Sequence, residues 1–368
     1  MWRVSRSEDG VLNPRLLSVV GAGVAANLLG SAAAPAGSGV PGADGYAGAE
    51  PGLPQLPALL RHYPARPPWH VAGVDYAVGV PAGAHLRDPL YLAMKGVVVD
   101  ADHHMVRIAG DDVTLDGYDF SLHGGWVVYI QSGAQNTVIS HSRFGIGANN
   151  LVPVAAEAGT ANLAILHNMF AGGGAPEDGR SGAVWTLVNY SGSGRFVAKY
   201  NWFGPAPADA IDLNNGRISA DIEYNAAVSL GHAPGSHPDF VQFDGSLSEN
   251  SVIAFNTIYQ PQGEGEVSGM EGIQVEAQKG SHVSVIVGTR VSNNTIIATG
   301  PELAMSCAIA VIEDRGNRID GVDVRSNYLD FRGAYFAFYP PSGANVVFSD
   351  NIDMTTGRRI MPPAPRRN

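Results

Sequence analysis

One short pattern recurs between residues 111 and 353 and restricts the fold more than any other feature of the chain. Alternating apolar residues lead into an Asn or a small residue, and a hydrophobe follows. The copies read NTVISHSRF (136–144), NLAILHNMF (162–170), RFVAKYNWF (195–203), SADIEYNAAV (219–228), NSVIAFNTI (250–258), RVSNNTI (290–296), GVDVRSNYL (321–329) and NVVFSDNID (345–353). DDVTLDGYDF (111–120) reads as an earlier copy. Aligned, they place Ser142, Asn168, Asn201, Asn225, Asn256, Asn294, Asn327 and Asn351 at one position, with steps of 26, 33, 24, 31, 38, 33 and 24 residues.

A floor near 24 residues, with insertions above it, predicts stacked coils. At ~3.3 Å per strand residue, about 24 residues make one circuit of three short strands and three turns. That is one coil of a parallel β-helix, a solenoid in which neighbouring coils cover each other's edges. Propeller blades of ~40–45 residues do not fit the short steps. The recurrent Asn is expected in the turn, where it tolerates a left-handed φ and where stacked amides hydrogen-bond along the axis, as in Asn ladders. Composition agrees: 46 glycines and only 15% charged residues suit an all-β chain rich in tight turns.

These repeats resemble those of the right-handed parallel β-helix proteins of the pectate-lyase-like superfamily, over roughly residues 70–355. VPAGAHLRDPL (80–90) is similar to the Pro-x-Gly strand with which many such helices begin. The resemblance implies a right-handed helix of about ten three-strand coils. It also implies a chain related to polysaccharide lyases, glycoside hydrolases and uronate epimerases, or to non-catalytic tailspikes and surface proteins. The Asn-Thr-Asp, Asp-Asp, Gly-His-Gly and Arg-Ile-Lys set of polygalacturonases is absent, as is the Asp-Pro-His motif of alginate epimerases; the order here is His237-Pro238-Asp239. The expected organisation is a flexible low-complexity segment at 1–57, cap and opening coils at 58–104, the β-helix at 105–355 and a tail at 356–368.

A second strand follows each Asn turn: WVVYIQSG (126–133), AVWTLVN (183–189), AIDLNNG (210–216), FVQFDGS (240–246), GIQVEAQ (272–278), AIAVIED (308–314) and AYFAFYP (334–340). Alternation sends Ile211 and Leu213, Val241 and Phe243, and Ile273 and Val275 inward. Two outward columns result, Asp212–Gln242–Gln274 and Asn214–Asp244–Glu276. A third acidic set, Asp209, Asp239 and Glu271, is expected in the turns entering these strands. Six carboxylates on three successive coils suggest chemistry, because coils ~4.8 Å apart bring carboxylates to the spacings used by retaining or inverting glycosidases. Like charges this close raise at least one pKa or attract a cation. Acids are also ordinary on exposed solenoid strands, and turn acids cap backbone N–H groups; the cluster stands out because three consecutive coils share it.

The catalytic candidates are therefore Asp209, Asp212, Asp239, Asp244, Glu271 and Glu276, with His237 as a further acid or base. Gln242, Gln274, Asn214, Trp185, Tyr129, Arg217 and Lys279 are candidates for substrate contact. Ca²⁺ would be held by Asp212, Asp244 and Glu276, although hydrolysis needs no cofactor. His103, His104 and His123 read as structural. The leading expectation is carboxylate acid/base hydrolysis of a polysaccharide on the outer face; the alternatives are Ca²⁺-assisted cleavage of a uronate polymer and a non-catalytic adhesin or glycan-binding β-helix.

A net charge of −11 disfavours nucleic acid as a partner. The lone Cys307 permits no internal disulfide. The apolar run at 16–29 leads into GSAAAPA and reads either as a secretory signal or as part of a linker; it is too short and glycine-rich for a membrane span. A secreted or cell-surface location is expected.

Overall fold

The computed structural model describes residues 55–146, 150, 152–171, 186–207, 209–231, 238–261, 271–278, 283–299, 304–362 and 364. They form a right-handed parallel β-helix with three sheets of ten, twelve and eight strands. Successive coils visit the three sheets in turn, and three of them cross the second sheet as two short strands. Asp209–Asn214 lies in the first sheet, Arg217–Glu223 in the second and Ala226–Val228 in the third. The next coil repeats the circuit with Asp239–Asp244. The predicted second strands all fall in the ten-stranded sheet, which also contains a strand that short-range alternation does not reveal, Val154–Ala156.

In-register stacking builds the core. Val106, Val128, Val154, Val188, Ile211, Val241, Ile273 and Ile309 are successive partners in the first sheet. Every one is fully buried. β-Branched side chains suit this position because they fill a pleated surface with little rotamer freedom to lose. Opposite them, Phe120, Phe144, Phe170 and Phe203 stack with ring centroids 4.7, 4.7 and 5.0 Å apart.

The aligned asparagines form one continuous buried ladder. The backbone N–H and Nδ2 of Asn225 both donate to Oδ1 of Asn256, at 3.0 and 2.9 Å. Asn256 repeats this toward Asn294, at 3.1 and 3.0 Å, and its Nδ2 also reaches the Ile222 carbonyl at 2.9 Å. The pattern runs from Asn168 to Asn351, and at its start the Ser142 N–H donates to Asn168 Oδ1. The left-handed φ, however, is not on the asparagine. It falls one residue earlier, on His141, His167, Tyr200, Tyr224, Phe255, Asn293, Ser326 and Asp350. The amide is held inside, so the backbone bends before it. Left-handed φ is unfavourable for bulky residues, and here five of their rings stack outside the corner. His141, His167, Tyr200, Tyr224 and Phe255 follow one another at centroid spacings of 5.1, 4.9, 5.1 and 5.1 Å.

The span 58–104, read above as cap and opening coils, divides in two. Residues 55–80 lie along the outside of the third sheet as a strap that runs out with the coils from Leu56, beside Gly73, to Ala65 and then returns against their direction to Gly79. The Ala65 N–H reaches the Met354 carbonyl, Trp69 packs edge-on against Tyr328 and Phe255, Tyr76 meets Tyr200, and the Gly79 N–H bonds to the Tyr200 carbonyl at 2.7 Å. Residues 80–90 do not make the expected opening strand. Pro81–Ala84 is a turn, Arg87 makes a single bridge to Tyr118, and Pro89–Tyr91 is a 3₁₀ turn. Proline lacks the N–H a strand needs, and Gly83 adopts a left-handed φ. The first sheet opens instead with Val97–Asp100, antiparallel to Met105–Ile108. His103 and His123 pair with Asp100 and Asp88, each at 2.8 Å, and His104 lies against Trp126. The segment 1–57 lies outside the described residues up to position 54. No described helix is long and apolar enough to cross a membrane.

Removing one ladder amide orphans several buried polar groups at once. Asn256→Ala leaves the Asn225 N–H without its acceptor, removes one of the two acceptors of Asn225 Nδ2, which keeps the Ala198 carbonyl, and takes the side-chain donor from the Ile222 carbonyl, at about 1–3 kcal/mol per buried group left unpaired. We expect a loss of about 3 kcal/mol or more, read as a lower denaturant midpoint at unchanged m-value. Asn250→Gly, at an exposed left-handed turn, should change the midpoint little.

Candidate functional site

The six predicted carboxylates separate into two groups of three. Asp209, Asp239 and Glu271 are not turn residues. They are the first residues of their strands and share the parity of the inward Ile211, Val241 and Ile273. Asp239 is wholly buried, and Asp209 and Glu271 are each 8% exposed. The Asp239 N–H donates to Asp209 Oδ1 at 2.8 Å, and the Glu271 N–H donates to Asp239 Oδ1 at 2.9 Å. Ser306 Oγ closes the series on Glu271 Oε1 at 2.7 Å. These carboxylates thus tie three rungs together along the axis, as the asparagines do at the other corner.

The other three stand in the outward columns. Asp212 is in register with Asn189 on one side and with Gln242 and then Gln274 on the other. Asn214 faces Asp244, and two residues beyond Gln274 the same register leads to Glu276. Asp212 and Asp244 are therefore diagonal neighbours, one rung and two residues apart, a separation of about 7–8 Å on a pleated sheet. Asp212 Oδ2 accepts from Asn214 Nδ2 at 2.9 Å and from Asn189 Nδ2 at 3.4 Å. Gln274 Nε2 donates to Glu276 Oε2. Ser191 Oγ donates to Asn214 Oδ1 and lies 3.3 Å from Asn189 Oδ1.

Among the described residues, two acceptors in this network are buried with no hydrogen-bond partner: Asp212 Oδ1 and Gln274 Oε1. Burial and the charge of Asp244 push the Asp212 carboxyl up to about 8, against the opposing hydrogen bond from Asn214. Burial also raises Asp244. Glu276 rises to about 7, through burial first and then the charge of Asp314. A site that disfavours ionisation in this way holds a proton near neutral pH and can deliver it.

The remaining candidates do not converge. Tyr129 is in the Asp212 column three rungs away and donates its hydroxyl to Glu157. Arg217 opens a strand of the second sheet and pairs with Glu249 at 2.6 Å. His237, Trp185 and Lys279 lie outside the described residues. Among the described residues, no group of three or more His, Cys, Asp or Glu side chains could hold a metal ion. A cavity of about 640 Å³ lies elsewhere, between the strap and the third sheet, lined by Leu56, Leu59, Tyr63, Tyr259 and Arg332 among others.

The linked titration has a definite sign. A carboxyl raised from its ordinary value near 3.9 to about 8 supports the fold while protonated, at low pH, and that support is lost as pH rises toward 8. Asp212→Asn, neutral throughout, should therefore gain stability relative to the wild type between about pH 4 and pH 8. Denaturant unfolding across that range measures it, and parallel curves would exclude the raised carboxyl. Comparison of the chain with family models, with curated proteins and with solved structures returns no match.

Proposed function

We propose that the protein is a carbohydrate-active enzyme that hydrolyses a polysaccharide on the outer face of its first sheet. One observation carries this reading: Asp212 and Asp244 are diagonal neighbours in a patch of amides and carboxyls, and Asp212 is raised to about 8. The diagonal sets their backbone positions about 7–8 Å apart, which is compatible with the ~6.5–9.5 Å between the carboxyl groups of inverting glycosidases, where a water stands beside the base. Asp212 then supplies the proton to the departing glycosidic oxygen. Asp244, in its ionised fraction, takes a proton from the attacking water. Asn189 and Asn214 hold Asp212 in place by hydrogen bonds to the oxygen that does not deliver the proton. Asp209, Asp239 and Glu271 act structurally in this scheme. The coil architecture and repeat pattern support membership of the pectate-lyase-like superfamily, and a polymeric glycan substrate fits a secreted or cell-surface location.

Incubation with a polysaccharide panel, with and without Ca²⁺, tests the reading. We expect new reducing ends without the ultraviolet absorbance of unsaturated uronates, and no dependence on Ca²⁺. Absorbance appearing with the reducing ends would support a lyase instead. Binding without product would support a non-catalytic glycan-binding β-helix. Asp212→Asn and Asp244→Asn should each lower kcat by ~10²–10⁴-fold with unchanged circular dichroism. The pH profile of kcat/KM should be bell-shaped, its alkaline limb near 8, where Asp212 loses its proton.

A further inference from the structure

The outer ring column ends one coil after the position where it would first fit. Each ring residue donates its N–H to the carbonyl just before the next ring position: His141 to Leu166, His167 to Lys199, Tyr200 to Glu223 and Tyr224 to Ala254. The Gly117 N–H makes the same bond to the Ser140 carbonyl, and its φ of +70° lies close to the +44° to +60° of the ring residues. Gly117 therefore holds the ring position of its coil without supplying a ring. A Cβ placed there meets nothing within 4 Å. The face of His141 turned away from His167 is thus left over open space among the described residues, and its side chain is 43% exposed. At the opposite end of the column, Phe255 meets Trp69 of the strap.

The rim of this gap carries an acceptor and a donor. His141 Nδ1 and Ser140 Oγ each lie 2.7 Å from Asp116 Oδ1. Neither contact uses Asp116 Oδ2, and that side chain is 57% exposed. The Arg87 guanidinium donates one N–H to the Asp116 carbonyl and sits 4.1 Å from the centre of the Tyr118 ring; its other N–H groups point along the same rim or to solvent. A ring face between a carboxylate and a guanidinium suits a ligand that is apolar on its flat side and hydrogen-bonding around its edge. A pyranose is built this way. Its weakly positive axial C–H bonds meet the negative π face, while its equatorial hydroxyls donate to Asp116 and accept from Arg87. An aromatic ring would stack equally well, but it would take water from both charged groups and return no hydrogen bond.

We propose that the open end of the ring column is a sugar-binding site, where one pyranose stacks on His141 in the place left by Gly117 and hydrogen-bonds to Asp116 and Arg87. The site lies at the corner between the second and third sheets, four coils before Asp212, and holds a glycan away from the acids of the first sheet. The full chain carrying ¹³C-labelled histidine tests it, with the His141 signal assigned from His141→Gln. The probes are the methyl glycosides of glucose, galactose, mannose and xylose, with N-acetyltyrosinamide as an aromatic control. We expect at least one glycoside to shift the His141 ring signal saturably, with a dissociation constant on the order of millimolar for so small a ligand. Gly117→Tyr sets a further ring in the gap, at a φ that Tyr200 and Tyr224 already adopt. It should abolish the shift and leave the thermal midpoint unchanged. Asp116→Ala keeps the gap open and should weaken binding roughly tenfold or more. No shift with any glycoside, undiminished affinity in either variant, or a response to the tyrosine amide alone would each overturn the inference. The titration involves no turnover, so its outcome is independent of hydrolysis at Asp212.

Discussion

The structure depends on how one buried amide per coil is satisfied. A polar side chain inside an apolar core is tolerated only if its donors and acceptor all find partners. At Asn256 they do: its oxygen accepts two hydrogen bonds from the coil before, and its nitrogen gives one forward and one back. None of these bonds exists within a single coil, so each amide is satisfied only when both neighbours are in place. The ladder converts a string of local turns into one cooperative stack, and it fixes the register of all three sheets. Except at Asn293–Asn294, a coil shifted by one residue would bury a side chain with no amide to offer.

Register in turn decides where chemistry can occur. The parity that buries Ile211 and Val241 presents Asp212 and Gln242 outward, and the stacking that pairs Val241 with Ile273 carries Gln274 into the same column. Acids that an irregular protein would have to gather from distant loops arrive here through repetition alone. Repetition also sorts them. A carboxylate on the inward parity at the start of a strand becomes a brace between rungs, as Asp239 does between Asp209 and Glu271. Asp209 and Asp212 stand three residues apart on one strand, and that odd step turns the first inward as a brace and the second outward.

The asparagine spacing made the coil legible in the sequence, because an amide that must repeat in space must also repeat along the chain. The outward columns were legible for the same reason. Three features were not. The boundary between turn and strand before Asp209, Asp239 and Glu271 has no local signature, so their burial could not be read. Val154–Ala156 is three apolar or small residues with no polar alternation. The strap carries no repeat, since Trp69 and Tyr76 each meet a different coil. One signal lay in the aligned repeats without being read: His141, His167, Tyr200, Tyr224 and Phe255 each precede the ladder position, and their common place marks the ring stack to which the strap attaches.

The reach of the strap has a consequence for the order of assembly. Its residues leave the ribosome before any coil, yet the surfaces they cover belong to coils made much later. Tyr63 and Asp330, joined by a 2.6 Å hydrogen bond, are 267 residues apart in sequence. Closing a loop of that length is entropically unfavourable until its far partner exists. The Ala65–Trp69 part of the strap therefore docks only when the final turns have formed, whereas its Tyr76–Gly79 end meets the much earlier Tyr200 coil. The far end of the strap, at Tyr63 and Ala65, acts as a clasp on the last coils, and its docking reports that they have formed.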